Sequence, residues 1–186
     1  MVDSPDPSGR LATSAAPEIR PTWAFLFAHP AHFIALGAGS GLSRLFPGTV
    51  ATLLAWLTYA SWASSLDNAE RGAGLLGTLV LSWWAGTVTA RHLAQADPTV
   101  VVCDEIVSFW LILWLVTPAS FTAQAAAFVL FRLFDGVKPG PVAWADQLFK
   151  ARRGEPIGWA QGCGILFDDL VAALCTLLVI AVWRSF

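Results

Sequence analysis

The chain has 186 residues, 56% hydrophobic and only 13% charged, with a formal net charge of −2 and a mean hydropathy of +0.61. Soluble domains average about 25% charged residues, so the composition excludes an ordinary water-soluble enzyme and points to a single membrane-embedded domain. The near-neutral charge gives no footing for a nucleic-acid partner, and the 10 tryptophans suit rings anchored where a bilayer meets water.

Residues 1–22, "MVDSPDPSGRLATSAAPEIRPT", are rich in Pro, Ser and Ala and lack the apolar core of a secretory signal. They are expected to be a disordered cytoplasmic tail, with residues 23–186 forming the membrane domain. His29 and His32 flank Pro30 and read as interfacial residues. The stretch "GAGSGLSRLFPGT", Gly37 to Thr49, then offers backbone N–H groups and the hydroxyls of Ser40, Ser43 and Thr49. Such a loop can meet a phosphate. It lacks the G-K-[ST] of a P-loop, and taken alone it is more often just a turn.

Five apolar runs follow. They begin at Gly48, Gly74, Val100, Ser120 and Gly164. A bilayer crossing takes about 20 apolar residues, so the expected fold is all-α: a multi-pass bundle of about five membrane helices. The fourth is short and carries Arg132, as a tilted span or a re-entrant helix. Basic residues favour the cytoplasm. They lie between runs two and three (Arg91, beside His92) and between runs four and five (Lys138, Lys150, Arg152, Arg153). This places the N-terminus inside and the C-terminus outside. His92 shows no obvious partner.

Within the third run, "VVVCDEIVSFWLILWLV", Asp104 and Glu105 are adjacent. Asp168 and Asp169 are adjacent in the fifth. Counted from the start of each run, both pairs sit roughly 7–10 Å deep on spans of the same direction, so they can meet at one level. Run four ends there too, with Arg132 and Asp135 sharing a helix face and Lys138 just before Pro139. Charges inside a span cost about 2.5–3.5 kcal/mol each at its centre, and clustered carboxylates repel. A divalent cation relieves both, and oxygen ligands suit Mg2+ or Ca2+. The plainer alternative is acids stabilised at helix N-termini, which accounts for one acid per helix better than for adjacent pairs. For Lys138 the plain reading, a cation at a helix C-terminus, weighs evenly with a phosphate ligand. The three cysteines, Cys103, Cys163 and Cys175, form neither a disulfide framework nor a zinc pattern, and Cys103 reads as a small apolar helix residue.

Four blocks, "GSGLSRLFPGTVATL", "DPTVVVCDEIVSFW", "FRLFDGVKPGPV" and "GCGILFDDLVAAL", occur in an order that resembles the phosphatidylglycerophosphatase A family, over roughly Gly37 to Ala173. The resemblance implies a Mg2+-dependent lipid phosphatase of the bacterial cytoplasmic (inner) membrane, its site facing the cytoplasm. It would hydrolyse phosphatidylglycerophosphate to phosphatidylglycerol and phosphate in phospholipid biosynthesis. Asp104, Glu105, Asp168 and Asp169 are the expected metal ligands. Asp135, Asp169 and Asp104 are the expected catalytic carboxylates, with Asp135 completing the metal shell or taking a proton from water. Lys138, Arg132, Ser40 and Thr49 are the expected phosphate ligands. The chain departs from the family pattern at Arg44, Ser108 and Ala173, which leaves room for an altered substrate preference. Oligomeric state and any partner beyond substrate and membrane lipids are not legible.

Two other readings fit the sequence less well. A CDP-alcohol phosphatidyltransferase needs D-G-x-x-A-R and aspartates four apart, whereas "DGVKPG" lacks the A-R and Asp168 and Asp169 are adjacent. A cation channel or carrier needs acids spread through the bilayer depth, whereas these gather at one end of their runs.

Overall fold

The computed structural model describes residues 21–63, 65–149 and 156–185. Residues 1–20 of the expected tail, and the bases Lys150, Arg152 and Arg153, lie outside the described residues. Among the described residues all regular structure is helical. Two short helices come first, α1 (Trp23–Ala28) and α2 (Pro30–Ala35), followed by a 3₁₀ turn over Gly37–Leu42. Then come α3 (Pro47–Ala63), α4 (Asn68–Leu93), α5 (Cys103–Val116), α6 (Phe121–Val137), α7 (Gly140–Leu148) and α8 (Trp159–Arg184).

Local chemistry sets these boundaries. The Thr22 hydroxyl accepts from the Phe25 N–H at 3.4 Å and caps α1. His29 Nδ1 accepts from the Ala31 N–H at 3.1 Å and caps α2, whose first residue is proline. A capping box opens α4: Asp67 Oδ1 accepts from the Glu70 N–H at 2.8 Å, and Glu70 Oε2 accepts from the Asp67 N–H at 2.9 Å. Ser120 caps α6. Lys138 ends α6 in the left-handed conformation, at φ +47°, directly before Pro139. That conformation is unusual for a residue with a Cβ, and it turns the lysine back toward the bundle.

Each of the five apolar runs forms one helix. Two of them, α4 and α8, are 26 residues each and apolar enough to cross a membrane; at 1.5 Å per residue each is about 39 Å long. The other three, α3, α5 and α6, have 17, 14 and 17 residues. The amphipathic helix α7 was not foreseen from the sequence.

α5 lies at the centre, packing against α3, α4, α6 and α8. Phe109, Ile112 and Leu113 on it are fully buried. Around them many interior positions are small or hydroxyl-bearing: Ser108 on α5 itself, and Ala51, Thr52, Ala55, Ala85, Thr87, Ala90, Ala172, Ala173 and Thr176 on its neighbours. The exterior carries large apolar side chains. Leu57, Leu76, Val129, Leu178 and Trp183 are all more than half exposed. Small residues inside and bulky apolar ones outside is the arrangement of helices that pack against each other within lipid. α8 and α4 approach closely where Gly162 sits directly on the Thr87 hydroxyl, and a side chain at that position would collide with it.

His92 has a partner after all. His32 Nε2 lies 2.7 Å from His92 Nδ1, and His32 Nδ1 lies 2.8 Å from the Phe25 carbonyl. The Phe25 ring stacks on His32 at 3.9 Å. Burial holds the His32 ring below the usual imidazole range against the pull of the Phe25 carbonyl, and the neighbouring His92 and His29 act in the same direction as burial. This pair joins α2 to the end of α4. Sixty residues of separation hid it from a reading along the chain.

Candidate active site

Asp104 and Glu105 lie in the first turn of α5, not roughly 7–10 Å into a helix. The three valines before it, part of the same apolar run, lie outside any helix. The Val101 N–H donates to the Pro98 carbonyl at 2.9 Å and the Val102 N–H to the Ala35 carbonyl at 2.8 Å. The two acids therefore meet the positive end of the helix dipole, and Asp104 Oδ1 accepts from the Glu105 N–H at 3.0 Å. Asp168 and Asp169 differ from expectation the other way. Because α8 begins at Trp159, they sit about 14 Å along its axis rather than roughly 7–10 Å.

The two pairs nonetheless converge. The charges bearing on Asp169 are those of Asp104, Asp135, Glu105 and Asp168, in that order. Asp104, Asp168 and Asp169 are all buried. Two cations hold the edges of this cluster. Arg132 Nη1 lies 3.0 Å from Glu105 Oε1 and 2.9 Å from Asp135 Oδ2, and it donates to the Thr52 hydroxyl at 3.5 Å. Lys138 Nζ lies 2.6 Å from both Asp168 Oδ2 and Asp146 Oδ1. Burial alone would pull the Lys138 ammonium down, but its hydrogen bonds and charge pairing with Asp146 and Asp168 overcome this and hold it above the ordinary lysine range.

Three participants escaped the sequence reading. Asp146, on α7, shares Lys138 with Asp168. Asp97 bears on Asp168 from the segment before α5. Thr52 meets Arg132 from α3. Asp146 had one available signal: it is the single acid on a short amphipathic stretch eight residues after Lys138.

The glycine-rich segment approaches through α3. Gly48 packs directly on the Glu105 carboxylate, and no side chain could stand between them. Thr49, its neighbour, is half-buried in the first turn of α3. Ser40 donates to the Gly37 carbonyl at 2.9 Å and to the Leu36 carbonyl at 3.5 Å, within its own turn. Arg44 is exposed, whereas Ser108 and Ala173 are fully buried. Cys103 is buried and free, and Cys163 and Cys175 are free.

Two carboxylate oxygens in the cluster, Glu105 Oε2 and Asp169 Oδ2, are buried with no hydrogen-bond partner, as is the Ser108 hydroxyl. Unmet buried acceptors are costly, and these two oxygens stand ready for a cation or a proton donor. Among the described residues, no three His, Cys, Asp or Glu side chains are gathered closely enough to enclose a metal ion by themselves.

Fold and cluster together define an all-helical, membrane-associated protein with a lipid-compatible exterior and a buried carboxylate–cation centre. Sequence comparison supplies the particular family. The family Phosphatidylglycerophosphatase A matches residues 33–184, and the chain belongs to it; it is a phosphatase. A Phosphatidylglycerophosphatase A of Escherichia coli (strain K12) is 31% identical over 151 residues, 78% of each chain. The one of Haemophilus influenzae is 28% identical over 152 residues, 82% of this chain and 87% of the relative. A protein of Bacteroides thetaiotaomicron named "Putative phosphatidylinositol-3-phosphatase" is 33% identical over 156 residues, 81% of this chain and 91% of the relative. No solved structure matches the chain at a level that establishes a relationship.

Proposed function

We propose that the protein is a Mg2+-dependent hydrolase that removes the terminal phosphate of phosphatidylglycerophosphate, giving phosphatidylglycerol and inorganic phosphate. The observation that carries this reading is the convergence of acids from α5, α6 and α8 on one another, edged by Arg132 and Lys138. The names of the Escherichia and Haemophilus relatives point to the same lipid.

The donor set fits a magnesium ion. Mg2+ typically takes one or two carboxylates and fills its remaining positions with water and substrate phosphate. An incomplete protein shell with unsatisfied carboxylate oxygens is what such an ion requires, and Glu105 Oε2 and Asp169 Oδ2 are such oxygens. Glu105 and Asp169 would hold it, with Asp104 and Asp168 alongside. When bound, it polarises the phosphoryl oxygens and lowers the pKa of water. The chain's own residues do the rest. Arg132 and Lys138 neutralise the charge of the phosphoryl group as it transfers. Each is already held in place by two carboxylates, so little reorganisation is needed when substrate arrives. Asp135, on the rim beside Arg132, takes a proton from the attacking water.

The membrane placement extends the same proposal. All five helices α3, α4, α5, α6 and α8 cross the bacterial cytoplasmic membrane, with the cluster toward the cytoplasm. The three shorter ones span about 21–25 Å against a hydrocarbon core of about 30 Å. α5, the shortest, is wrapped by its neighbours, and non-helical backbone at membrane depth is tolerated when buried in protein. The hydrogen bonds of Val101 and Val102 meet that condition.

A second substrate is favoured by one observation: the Bacteroides relative carries the name of a phosphatase acting on the inositol 3-position. Both substrates are phosphomonoesters on a lipid headgroup, and a release assay separates them. The purified chain should liberate phosphate from phosphatidylglycerophosphate with Mg2+ and stop on addition of EDTA. Faster release from phosphatidylinositol 3-phosphate would reassign the substrate, and release that survives EDTA would remove the ion from the account.

Gly48→Ala tests the architecture of the site. The added methyl must push the Glu105 carboxylate off its position beside Arg132. A displacement on the order of 1 Å in such a site costs about a hundredfold, so kcat/KM should fall by about that factor while membrane insertion is unchanged. Wild-type kinetics in this variant would mean that Glu105 has no part in the reaction.

A further inference from the structure

α7 places one acid on the face that it buries. Val142, Ala145, Asp146 and Phe149 recur at i, i+3, i+4 and i+7, the spacing of a single helix face. Val142 and Ala145 are buried, and the Asp146 side chain is only 13% exposed, whereas Trp144 and Leu148 point outward. The stripe docks on α8. Phe149 packs directly on Gly164, and a side chain at that glycine would collide with it. The Phe167 ring, beside Asp168 in sequence, lies 5.7 Å from Phe149 and 6.4 Å from Trp144. These contacts give α7 a defined seat on α8.

A carboxylate in an otherwise apolar stripe is costly unless it is partnered. Asp146 Oδ1 accepts from Lys138 Nζ at 2.6 Å, and Asp168 Oδ2 accepts from the same ammonium at 2.6 Å. The lysine itself is held in an unusual backbone. It carries a Cβ yet ends α6 at φ +47°, a conformation usually left to glycine, and such strain persists where the surrounding structure enforces it. An ammonium has three N–H donors. Two go to buried carboxylates on α7 and α8, and the lysine side chain remains 33% exposed, so the third is open to an anion. The two anchors differ. Asp168 belongs to the central cluster, its charge bearing on both Asp104 and Asp169. Asp146 stands at the rim, where its charge bears on Asp168 and Lys138.

We infer that Asp146 is a positioning residue of the site: from its seat on α7 it holds Lys138 Nζ so that one N–H of the ammonium is presented to the transferring phosphoryl group. The inference rests on the lipid phosphomonoesterase reading above and adds a carboxylate that acts through Lys138 rather than on the substrate.

The test uses the full chain in detergent with Mg2+ and phosphatidylglycerophosphate. Asp146→Asn keeps the shape and weakens the hold on the ammonium; it should lower kcat about tenfold with KM within about twofold, because the lysine's charge counts most as the phosphoryl group transfers. Asp146→Glu restores the charge and should recover at least about threefold of that loss. Lys138→Ala alone should lose about a hundredfold, and adding Asp146→Asn to it should cost less than about twofold more, since no ammonium is left to hold. Binding of orthovanadate, which takes the shape of the transferring phosphoryl group, gives a readout without turnover. Asp146→Asn should weaken it about tenfold with Lys138 present and less than about twofold with alanine there. Equal losses in both backgrounds, or wild-type kcat in Asp146→Asn, would overturn the assignment. Vanadate binding that couples the two residues, with no phosphate released by the wild type, would keep Asp146 in its role and reject the phosphatase reading.

Discussion

Asp169→Asn is expected to lower kcat for phosphate release by about a hundred- to ten-thousandfold, the range for losing a carboxylate that acts in the chemical step. Asp169 is buried on α8, and the charges of Asp104, Asp135, Glu105 and Asp168 all bear on it. Asparagine keeps the shape and one oxygen while removing the charge. It also relieves repulsion among neighbouring acids, so the variant should fold and insert at least as well as the wild type. Activity and stability therefore move in opposite directions, a pattern that a merely structural aspartate would not give. Phosphate release and the melting temperature, measured on one preparation, decide the matter. Retention of more than a tenth of wild-type kcat would place the chemistry elsewhere.

Arg132→Ala should be nearly as severe, and for two separable reasons. Removing a donor aimed at developing phosphoryl charge costs about 10²–10³ in kcat/KM. It also strands Glu105 and Asp135, each within 3.0 Å of the guanidinium, and breaking a largely buried pair costs about 3 kcal/mol. The double variant Arg132→Ala/Glu105→Gln should recover much of the stability and none of the activity. Arg132→Lys keeps the charge but loses the rigid planar guanidinium whose Nη1 meets both acids, so it should fall between. If the double variant regains activity, Arg132 is a structural counterion and nothing more.

Much of this centre could be read from the sequence. The adjacent acids at 104–105 and 168–169 and the Arg132–Asp135 pair at i, i+3 are local patterns, and the structure brings them together. Helix starts were harder. Val100–Val102 are as apolar as the helix that follows, so composition alone could not separate non-helical backbone from span. The start of α8 was hidden by Gln161, Gly162 and Gly164, which look like a loop when read in order. Partners contributed from a distance were not legible. Asp146 on α7, Thr52 on α3 and the His32–His92 pair each depend on how helices pack, and no spacing along the chain encodes that.

The contact of Gly162 with Thr87 leaves no slack between the two longest helices. α8 carries two of the central aspartates, so their position is fixed as if on a welded frame. Anyone seeking to retune this protein toward bulkier or differently shaped lipids should leave that frame alone. Variation belongs instead at exposed apolar positions such as Leu57 on α3 and Val129 on α6.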